Sequence, residues 1–359
     1  MDVAVLGATG DIGRTICSAL IERRVLARSS RLQLVGRTGG SSATAAHGLR
    51  VDLIDAYDES APLIDVALTP EDVVADVVVM TAGRTIPTAA GKAVDRAQLA
   101  KDNLEVFESY ARALAQYGSG HEVVIVVSNP VELAVQVFAR QLGRHRVIGM
   151  GAWLDTLRFR REIASALGIR RQRVGGYVAG QHGDGMVPLW STVRVRGVDA
   201  AERAAIVSRL RGPRTMSTFR GEVQAAKQRV ATMGDVASAY DVIESYPPDV
   251  RAAVRPYLTH ASGAKTANGT AGATVDLIST VLDGRDIVVA GQVELDGELA
   301  LAGAPWHGVL GVPVVVGPDG WNHVILDELA PDEASLLAAV GTEINRAAAA
   351  TGAADGAAR

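Results

Sequence analysis

The chain has 359 residues, 48% hydrophobic and 21% charged, which is a length typical of two domains and a composition typical of a folded globular protein. The net charge of -4 does not favour a nucleic-acid partner, and no apolar run reaches the ~20 residues of a membrane helix. The single cysteine, Cys17, excludes an intrachain disulfide and a cysteine-based metal site, and no secretory signal is visible, so we expect a cytoplasmic protein without a metal.

Short apolar runs alternate with helical patterns in the first part of the chain. Strands are predicted at 2–6, 32–35, 76–80 and 123–127, and helices over 14–27 and 95–117. This alternation is typical of βαβ units in a parallel sheet. The sequence therefore predicts an α/β protein whose N-terminal Rossmann domain, a doubly wound parallel sheet, covers residues 1–150.

The pattern changes after residue 150. A helix is predicted over 154–167, strands over 174–178 and 192–198, and a hairpin that pairs 287–295 with 312–316. This mixture indicates a C-terminal α+β catalytic domain over residues 151–345. The last stretch, 346–359, consists of small and polar residues and is predicted to be a disordered tail.

A glycine-rich segment, GATGDIG, follows the first strand and opens the first helix. Gly7 permits a tight turn, Gly10 lets the backbone approach a pyrophosphate, and Gly13 lets helix and strand pack closely. Asp11 and Ile12 lie at the helix N-terminus, where N–H groups bind anions. A strand, this turn and a helix in succession predict a dinucleotide site, although the glycine triplet alone is a weak signal.

The end of the second strand distinguishes between the two nicotinamide dinucleotides. NAD usually requires a carboxylate there for the ribose hydroxyls. This sequence instead has Arg37 and Thr38, followed by glycines and serines. An arginine fork with nearby hydroxyls suits a 2′-phosphate, so we expect NADP as the cofactor, with NAD as the alternative.

Three further segments and one strand end carry residue types suited to acid–base chemistry on a carboxylic acid. Arg96 begins a predicted helix, Asn129 follows a strand, and Asp155 and Arg158 lie three apart on one helical face. His182 lies in a turn after a strand. An arginine binds a carboxylate bidentately, a histidine titrates in the physiological range, and a buried aspartate fixes the tautomer of its imidazole.

In their order along the chain, the segments GATGDIG, SNPVE, LDTLRFR and GQHGDGMVPL closely resemble the lactate/malate dehydrogenase family. The similarity extends from residue 2 to about residue 345 and includes LGVPVVVGPDG near the C-terminus. It implies an NAD(P)-dependent enzyme that transfers a hydride between the nicotinamide and a 2-oxo or 2-hydroxy acid. It also implies a homodimer or homotetramer.

The resemblance assigns roles to individual residues. His182 would donate and accept the proton, Asp155 would be its partner, Arg158 would bind the substrate carboxylate, and Arg96 would polarise the carbonyl group. Asn129 would contact the nicotinamide and the substrate. Other positions that the resemblance places at the substrate or the cofactor are Thr270 at the substrate, and Thr81, Ala82, Gly83, Asn103 and Ser128 at the cofactor.

Three departures from the family pattern bear on the substrate. The loop 81–96 is longer than usual and lacks a clear match for the arginine that binds a second carboxylate, so Arg84 and Lys92 are the candidates, and Arg84 is also a candidate for the cofactor phosphates. An apparent insertion at 234–268 is interpreted as a long loop that forms a lid or pocket wall, or that decorates the surface or an oligomer contact. Gly185 replaces a hydroxyl residue and is interpreted as extra room. These departures suggest a 2-oxo acid other than oxaloacetate, with an NAD-dependent malate dehydrogenase as the alternative.

Other classes of NAD(P)-binding protein need different residues in the sequence. Short-chain reductases share the glycine turn but need a tyrosine with a lysine four residues later, and none of the 7 tyrosines has one. NAD-dependent glycosidases need a cysteine near a metal, and Cys17 lies in the first predicted helix. An inactive NAD(P)-binding regulatory protein is the remaining alternative, although it is expected to have lost part of the catalytic set.

Overall fold

In the computed structural model, which describes residues 1–85, 96–262, 266–326 and 328–351, a parallel sheet spans the first part of the chain. Its strands are β1 (Val3–Leu6), β2 (Arg31–Val35), β3 (Leu63–Ala67), β4 (Val77–Met80), β5 (Val123–Val126) and β6 (Val147–Gly149). They lie in the order β3-β2-β1-β4-β5-β6, and each neighbouring pair is parallel. This order places a topological switch point between β1 and β4, where doubly wound folds bind ligands.

Helices cover both faces of this sheet. They are α1 (Asp11–Glu22), α2 (Gly40–Tyr57), α3 (Arg96–Tyr117) and α4 (Val131–Leu142). Val77 and Val79 of β4 pack in one apolar cluster with Ile16 of α1, whereas Val78 and Met80 pack in a second cluster that includes residues of α3 and α4. Because every β4 residue is buried on one face or the other, the strand is a continuous apolar run.

Antiparallel strands continue the sheet in the second part of the chain. They are β7 (Val174–Gly180), β8 (Met186–Val195), β9 (Ile287–Leu301), β10 (Ala304–Gly317) and β11 (Gly320–Val324). Gly149 of β6 pairs with Gln292 of β9, which joins the two parts edge to edge. The hairpin predicted from the sequence is longer than expected but has Ile287 opposite Val316, as the predicted segments required. The predicted fold class, a Rossmann sheet followed by an α+β part, is confirmed.

The helices of the second part surround these strands. They are α5 (Gly151–Leu167), α6 (Ala200–Arg211), α7 (Met216–Ala231), α8 (Val236–Glu244), α9 (Pro248–Ala261), α10 (Ala267–Asp283) and α11 (Pro331–Ala350). The end of α11 corrects one prediction, because 346–350 are helical and not part of a disordered tail. The residues after 351 lie outside the described part. No helix in the described ranges is long and apolar enough to cross a membrane.

The segment 234–268, interpreted from the sequence as an inserted loop, contains the two helices α8 and α9. Glu162 of α5, whose side chain is 2% exposed, accepts hydrogen bonds from Arg255 of α9 at 2.9 and 3.2 Å. Arg251 of α9 donates to the backbone carbonyl of Glu162 at 2.9 Å. The loop interpretation is therefore wrong. The two prolines 247 and 248 lie at the N-terminus of α9, where a missing N–H group costs nothing.

A second buried contact anchors α9, and its loss is expected to destabilise the protein. Asp249 is 1% exposed and accepts hydrogen bonds from Trp190 Nε1 at 3.2 Å and from Arg214 at 3.0 Å. Asp249→Ala leaves both donors without this acceptor, so we expect the free energy of unfolding to fall by about 2–4 kcal/mol. The matched control is the exposed Asp241→Ala on α8. Chemical denaturation of both variants measures the difference, and equal stabilities would contradict the anchoring role.

Candidate active site

A cleft of about 2160 Å³ runs along the carboxyl ends of the parallel strands and continues between α5, α7 and α9. The glycine turn lies at one end of this cleft. A Cβ atom at Gly7 would lie 2.8 Å from Ala82 Cα, and one at Gly13 would lie 2.4 Å from the carbonyl oxygen of Gly7. Gly7 also has a φ of +79°, a conformation that side chains rarely adopt. The turn is therefore as tight as the sequence predicted, and only glycine fits at its first and third positions.

The N-terminus of α1 faces the cleft through the same turn. Gly10, Asp11, Ile12 and Gly13 all line the cleft, and no described side chain caps this helix end. The first N–H groups of a helix are unsatisfied within the helix and favour an anion. The end of α1 therefore has the geometry of a phosphate-binding site.

The structure brings Arg37, but not Thr38, to the cleft. Arg37 is exposed at the end of β2 and lines the cleft together with Ser41 and Ser42. Its backbone N–H donates to Ser42 Oγ at 3.1 Å, which holds the loop against the start of α2. Thr38 does not line the cleft, and its backbone N–H donates to the carbonyl of Leu68 at 3.0 Å. The predicted contact of Thr38 with the cofactor stays a prediction.

The segment after β4 forms the floor of the cleft. Thr81 Oγ1 donates to the carbonyl of Leu6 at 2.6 Å, and Ser128 Oγ donates to the carbonyl of Ala82 at 2.7 Å. These bonds tie the ends of β1, β4 and β5 together. Thr81, Ala82, Gly83 and Ser128 all line the cleft, as the sequence predicted.

Asn103 was predicted to contact the cofactor, but it is fully buried in α3 behind the cleft wall. Its Oδ1 accepts from the backbone N–H of Arg84 at 2.6 Å, and its Nδ2 donates to the carbonyl of Asn129 at 2.7 Å. A Cβ atom at Gly83 would lie 3.0 Å from the same Oδ1. The amide therefore joins the loops after β4 and β5, and the predicted contact of Asn103 with the cofactor stays a prediction.

The remaining loop candidates are only partly described. Arg84 lines the cleft, is 75% exposed in its side chain, and forms an ion pair with Asp102 at 3.1 Å. Lys92 lies outside the described residues. Arg96 is the first residue of α3, and its side chain lies outside them as well.

Three side chains predicted as catalytic meet in the same cleft. Asp155 and Arg158 lie on α5, and His182 lies in the turn between β7 and β8. Asp155 Oδ2 lies 2.8 Å from His182 Nδ1, and Asp155 Oδ1 accepts from Arg158 at 3.1 Å. The Asp155 side chain is 2% exposed, whereas those of His182 and Arg158 are 20% and 13% exposed. One buried carboxylate therefore orients both a histidine and an arginine toward the cleft.

Two partners of His182 were not found from the sequence. Glu132 of α4, only 7% exposed, accepts from the backbone N–H of His182 at 2.8 Å. A Cβ atom at Gly151 would lie 2.5 Å from His182 Cγ, so this glycine makes room for the imidazole. A carboxylate between apolar residues in the first turn of α4 was the available signal for Glu132. Nothing in the sequence marked Gly151.

The charged groups of Asp155, His182 and Arg158 influence one another's pKa values. Burial by itself lowers the pKa of His182, but the charge and hydrogen bond of Asp155 outweigh burial and raise the pKa above its ordinary value. For Asp155 burial acts upward, and His182 and Arg158 together lower the pKa below its ordinary value. The imidazole therefore holds its proton more firmly than a free histidine, while the aspartate stays ionised.

The chain matches two family models over most of its length. Residues 1–149 match the model described as lactate/malate dehydrogenase, NAD binding domain, and residues 152–255 match its alpha/beta C-terminal domain. A malate dehydrogenase of Halobacterium salinarum is 31% identical over 342 residues, covering 93% of this chain and 94% of that protein.

The chain belongs to the lactate/malate dehydrogenase family. It is an NAD-dependent 2-hydroxyacid dehydrogenase, and the predicted family and enzyme class are confirmed. An L-lactate dehydrogenase of Treponema denticola is 28% identical over 96% of both chains, so relatives of both names resemble it throughout. The solved lactate dehydrogenase of Cryptosporidium parvum, complexed with lactic acid and β-nicotinamide adenine dinucleotide, has a TM-score of 0.73 at 22% identity and covers 98% of both chains. That likeness shows a shared fold.

Two further residues that were predicted to contact the substrate line the cleft of this dehydrogenase. Asn129 lines the cleft after β5, and Thr270, 7% exposed, lines it from the first turn of α10. The interpretation of Gly185 as extra room is wrong. A Cβ atom at Gly185 would lie 2.7 Å from Gln181 Cβ, and Gly185 does not line the cleft. This glycine is required by the tight turn that carries His182.

Proposed function

We propose that this dehydrogenase reduces a 2-oxo acid to the 2-hydroxy acid, and catalyses the reverse oxidation, with His182 exchanging the proton at the substrate oxygen. The observation that carries the proposal is the shared carboxylate of Asp155. Its two oxygens hold His182 Nδ1 at 2.8 Å and Arg158 at 3.1 Å, and all three residues line one cleft with the glycine turn.

Arg158 is proposed to bind the substrate carboxylate. A guanidinium has five N–H donors in a planar fork that matches a carboxylate. In the described part of the chain, Asp155 accepts one of these donors, which leaves the fork able to form a bidentate pair in the cleft. Asn129 and Thr270 are proposed to contact the same substrate. Arg96 is proposed to stabilise negative charge on the substrate oxygen.

His182 is proposed to act through Nε2, because Asp155 holds Nδ1. In reduction, the C2 atom of the substrate gains a hydride, and the carbonyl oxygen takes the proton of Nε2 and becomes a hydroxyl group. Asp155 stabilises the protonated imidazole before transfer and fixes the tautomer after it. Oxidation runs in reverse, with neutral Nε2 accepting the hydroxyl proton.

The glycine turn and the segment after β4 are proposed to hold the dinucleotide, which supplies or accepts the hydride when it is bound. The fit is good at two points: Gly7 and Gly13 leave no room for a side chain, and α1 presents its N-terminus to the cleft. The residues proposed to contact it are Gly7, Gly10, Asp11, Ile12, Gly13, Arg37, Thr81, Ala82, Gly83 and Ser128.

NADP is proposed as the preferred form, because Arg37 lines the cleft at the end of β2 with Ser41 and Ser42. Arg37→Gln removes a charge-assisted contact to the 2′-phosphate, so kcat/KM for NADPH is expected to fall about 10- to 100-fold. The value for NADH is expected to change little. Steady-state kinetics with both cofactors measures the ratio. A wild-type preference for NADH, or equal losses with both cofactors, would refute the assignment.

The proposed function is tested by steady-state reduction of a panel of 2-oxo acids that includes pyruvate, 2-oxobutyrate, oxaloacetate and 2-oxoglutarate, each with NADPH and with NADH. Oxidation of the cofactor with formation of the matching 2-hydroxy acid is expected for at least one member. Binding of the cofactor without turnover of any 2-oxo acid would overturn the proposal and would favour the regulatory alternative.

A further inference from the structure

The side of the cleft formed by α7 and α9 lies outside the residues that the mechanism uses. Gln224, Lys227 and Gln228 of α7 line it, as do Pro256, Tyr257 and His260 of α9, with Ala252 and Ala253 at its apolar part. The α9 part of this wall belongs to the segment 234–268, which the sequence marked as a departure from the family pattern, whereas α7 precedes that segment.

Lys227 is the cation of this wall, and it lies next to the proton donor. Its ammonium forms an ion pair with Asp184, which lies two residues after His182 in the same turn. The Lys227 side chain is 13% exposed, whereas that of Asp184 is 54% exposed. The ammonium is therefore the sheltered member of the pair, and its carboxylate partner is the solvated one.

The Lys227 ammonium can bind a second anion. An ammonium has three donors, and among the described residues Asp184 is the acceptor that it reaches. Its Nζ also lies 5.8 Å from the centre of the Tyr257 ring, which fixes its position without using a donor. Because Asp184 is largely in water, its charge is screened more effectively than that of the sheltered ammonium.

His260 and Arg158 also contribute to the electrostatics of this part of the cleft. Partial burial and the positive charge of Arg158 lower the pKa of His260 below its ordinary value, which favours the neutral imidazole. Asp184 and Glu343 are two of the acids that line the cleft, and Glu343 is paired with Arg220 at 2.8 Å. Both acids therefore have a cationic partner.

We propose that Lys227 binds an acidic group on the side chain of the 2-oxo acid, so that this dehydrogenase selects substrates with a second carboxylate. The inference rests on the proposed function, in which Arg158 binds the first carboxylate. The substrate side chain would run along the apolar face of α9 from Arg158 to Lys227. The cation for the second carboxylate would thus come from α7, and not from the loop 81–96, where the sequence shows no clear match for it.

The test compares kcat/KM for 2-oxo acids with a second carboxylate (oxaloacetate, 2-oxoglutarate and 2-oxoadipate) and without one (pyruvate and 2-oxobutyrate). Lys227→Met is expected to lower the values for the preferred diacid about 10- to 100-fold and to leave those for the monoacids unchanged or raised. Lys227→Arg, which keeps the charge, is expected to restore most of the preference. Arg229→Met, an exposed cation on the same helix, is the matched control.

The outcomes separate this inference from the function on which it rests. If the wild-type enzyme reduces monoacids but no diacid, or if Lys227→Met lowers both classes equally, the role of Lys227 is refuted and the proposed reaction stands. If no 2-oxo acid is reduced, the proposed function itself fails. Thermal unfolding of each variant shows whether an equal loss comes from misfolding, and a folded variant with equal losses counts against the inference.

Discussion

His182→Gln is expected to lower kcat for 2-oxo acid reduction by about 10²- to 10⁴-fold, the range over which a positioned general acid contributes. The amide still fits beside Asp155 and can donate a hydrogen bond, but it cannot deliver a proton to the substrate oxygen. Because the residues proposed to hold the dinucleotide do not include His182, cofactor affinity is expected to stay close to that of the wild type.

Two measurements check this prediction. Steady-state kinetics gives kcat, and quenching of tryptophan fluorescence on addition of NADPH gives the cofactor dissociation constant. The matched control is His323→Gln, an exposed histidine of β11 that does not line the cleft. Turnover at the wild-type rate in His182→Gln would refute the assignment of His182 as the proton donor.

Asp155→Asn is expected to have the second largest effect, a fall of about 10²- to 10⁴-fold in kcat for reduction. The carboxylate has two functions here. It raises the pKa of His182 against the effect of burial, and it accepts from Arg158 at 3.1 Å. An asparagine keeps the approximate shape but has no charge, so burial is left to lower the pKa of the imidazole.

The sign of the pH effect in Asp155→Asn follows from this change. Reduction requires protonated His182, so kcat/KM falls as pH rises through the pKa of the imidazole. In Asp155→Asn that fall is expected at a lower pH than in the wild type. The pH dependence of kcat/KM measures the shift, and Asp241→Asn on the surface of α8 is the control. A profile that stays in place would show that Asp155 does not set the pKa.

The sequence was sufficient for features that depend on local pattern. The glycine turn, the helical spacing of Asp155 and Arg158, and the turn that carries His182 are each encoded within a few consecutive residues. The alternation of strands and helices predicted the parallel Rossmann sheet and four of its six strands, but not β3 or β6. These features could be predicted because the chemistry and the backbone geometry restrict the residue types allowed at each position.

Features that depend on tertiary contact were missed or misjudged. Glu132 binds the backbone of a residue 50 positions away, which no local pattern indicates. Asn103 fits a family motif, but its amide is buried between two loops. The helix α9 was interpreted as part of an inserted loop because the segment departs from the family pattern, although its buried contacts to α5 and β8 hold it in the core. The domain limits, the cytoplasmic location and the homodimer or homotetramer stay predictions.

The central claim is that one imidazole, held by Asp155, exchanges the proton in both directions of the reaction. The most direct test is the pH dependence of kcat/KM for the wild-type enzyme, measured for reduction of the 2-oxo acid and for oxidation of the 2-hydroxy acid. Reduction is expected to fall, and oxidation to rise, through one shared pKa above the ordinary value of 6.5. Two unrelated pKa values, or the same transition in His182→Gln, would contradict the claim.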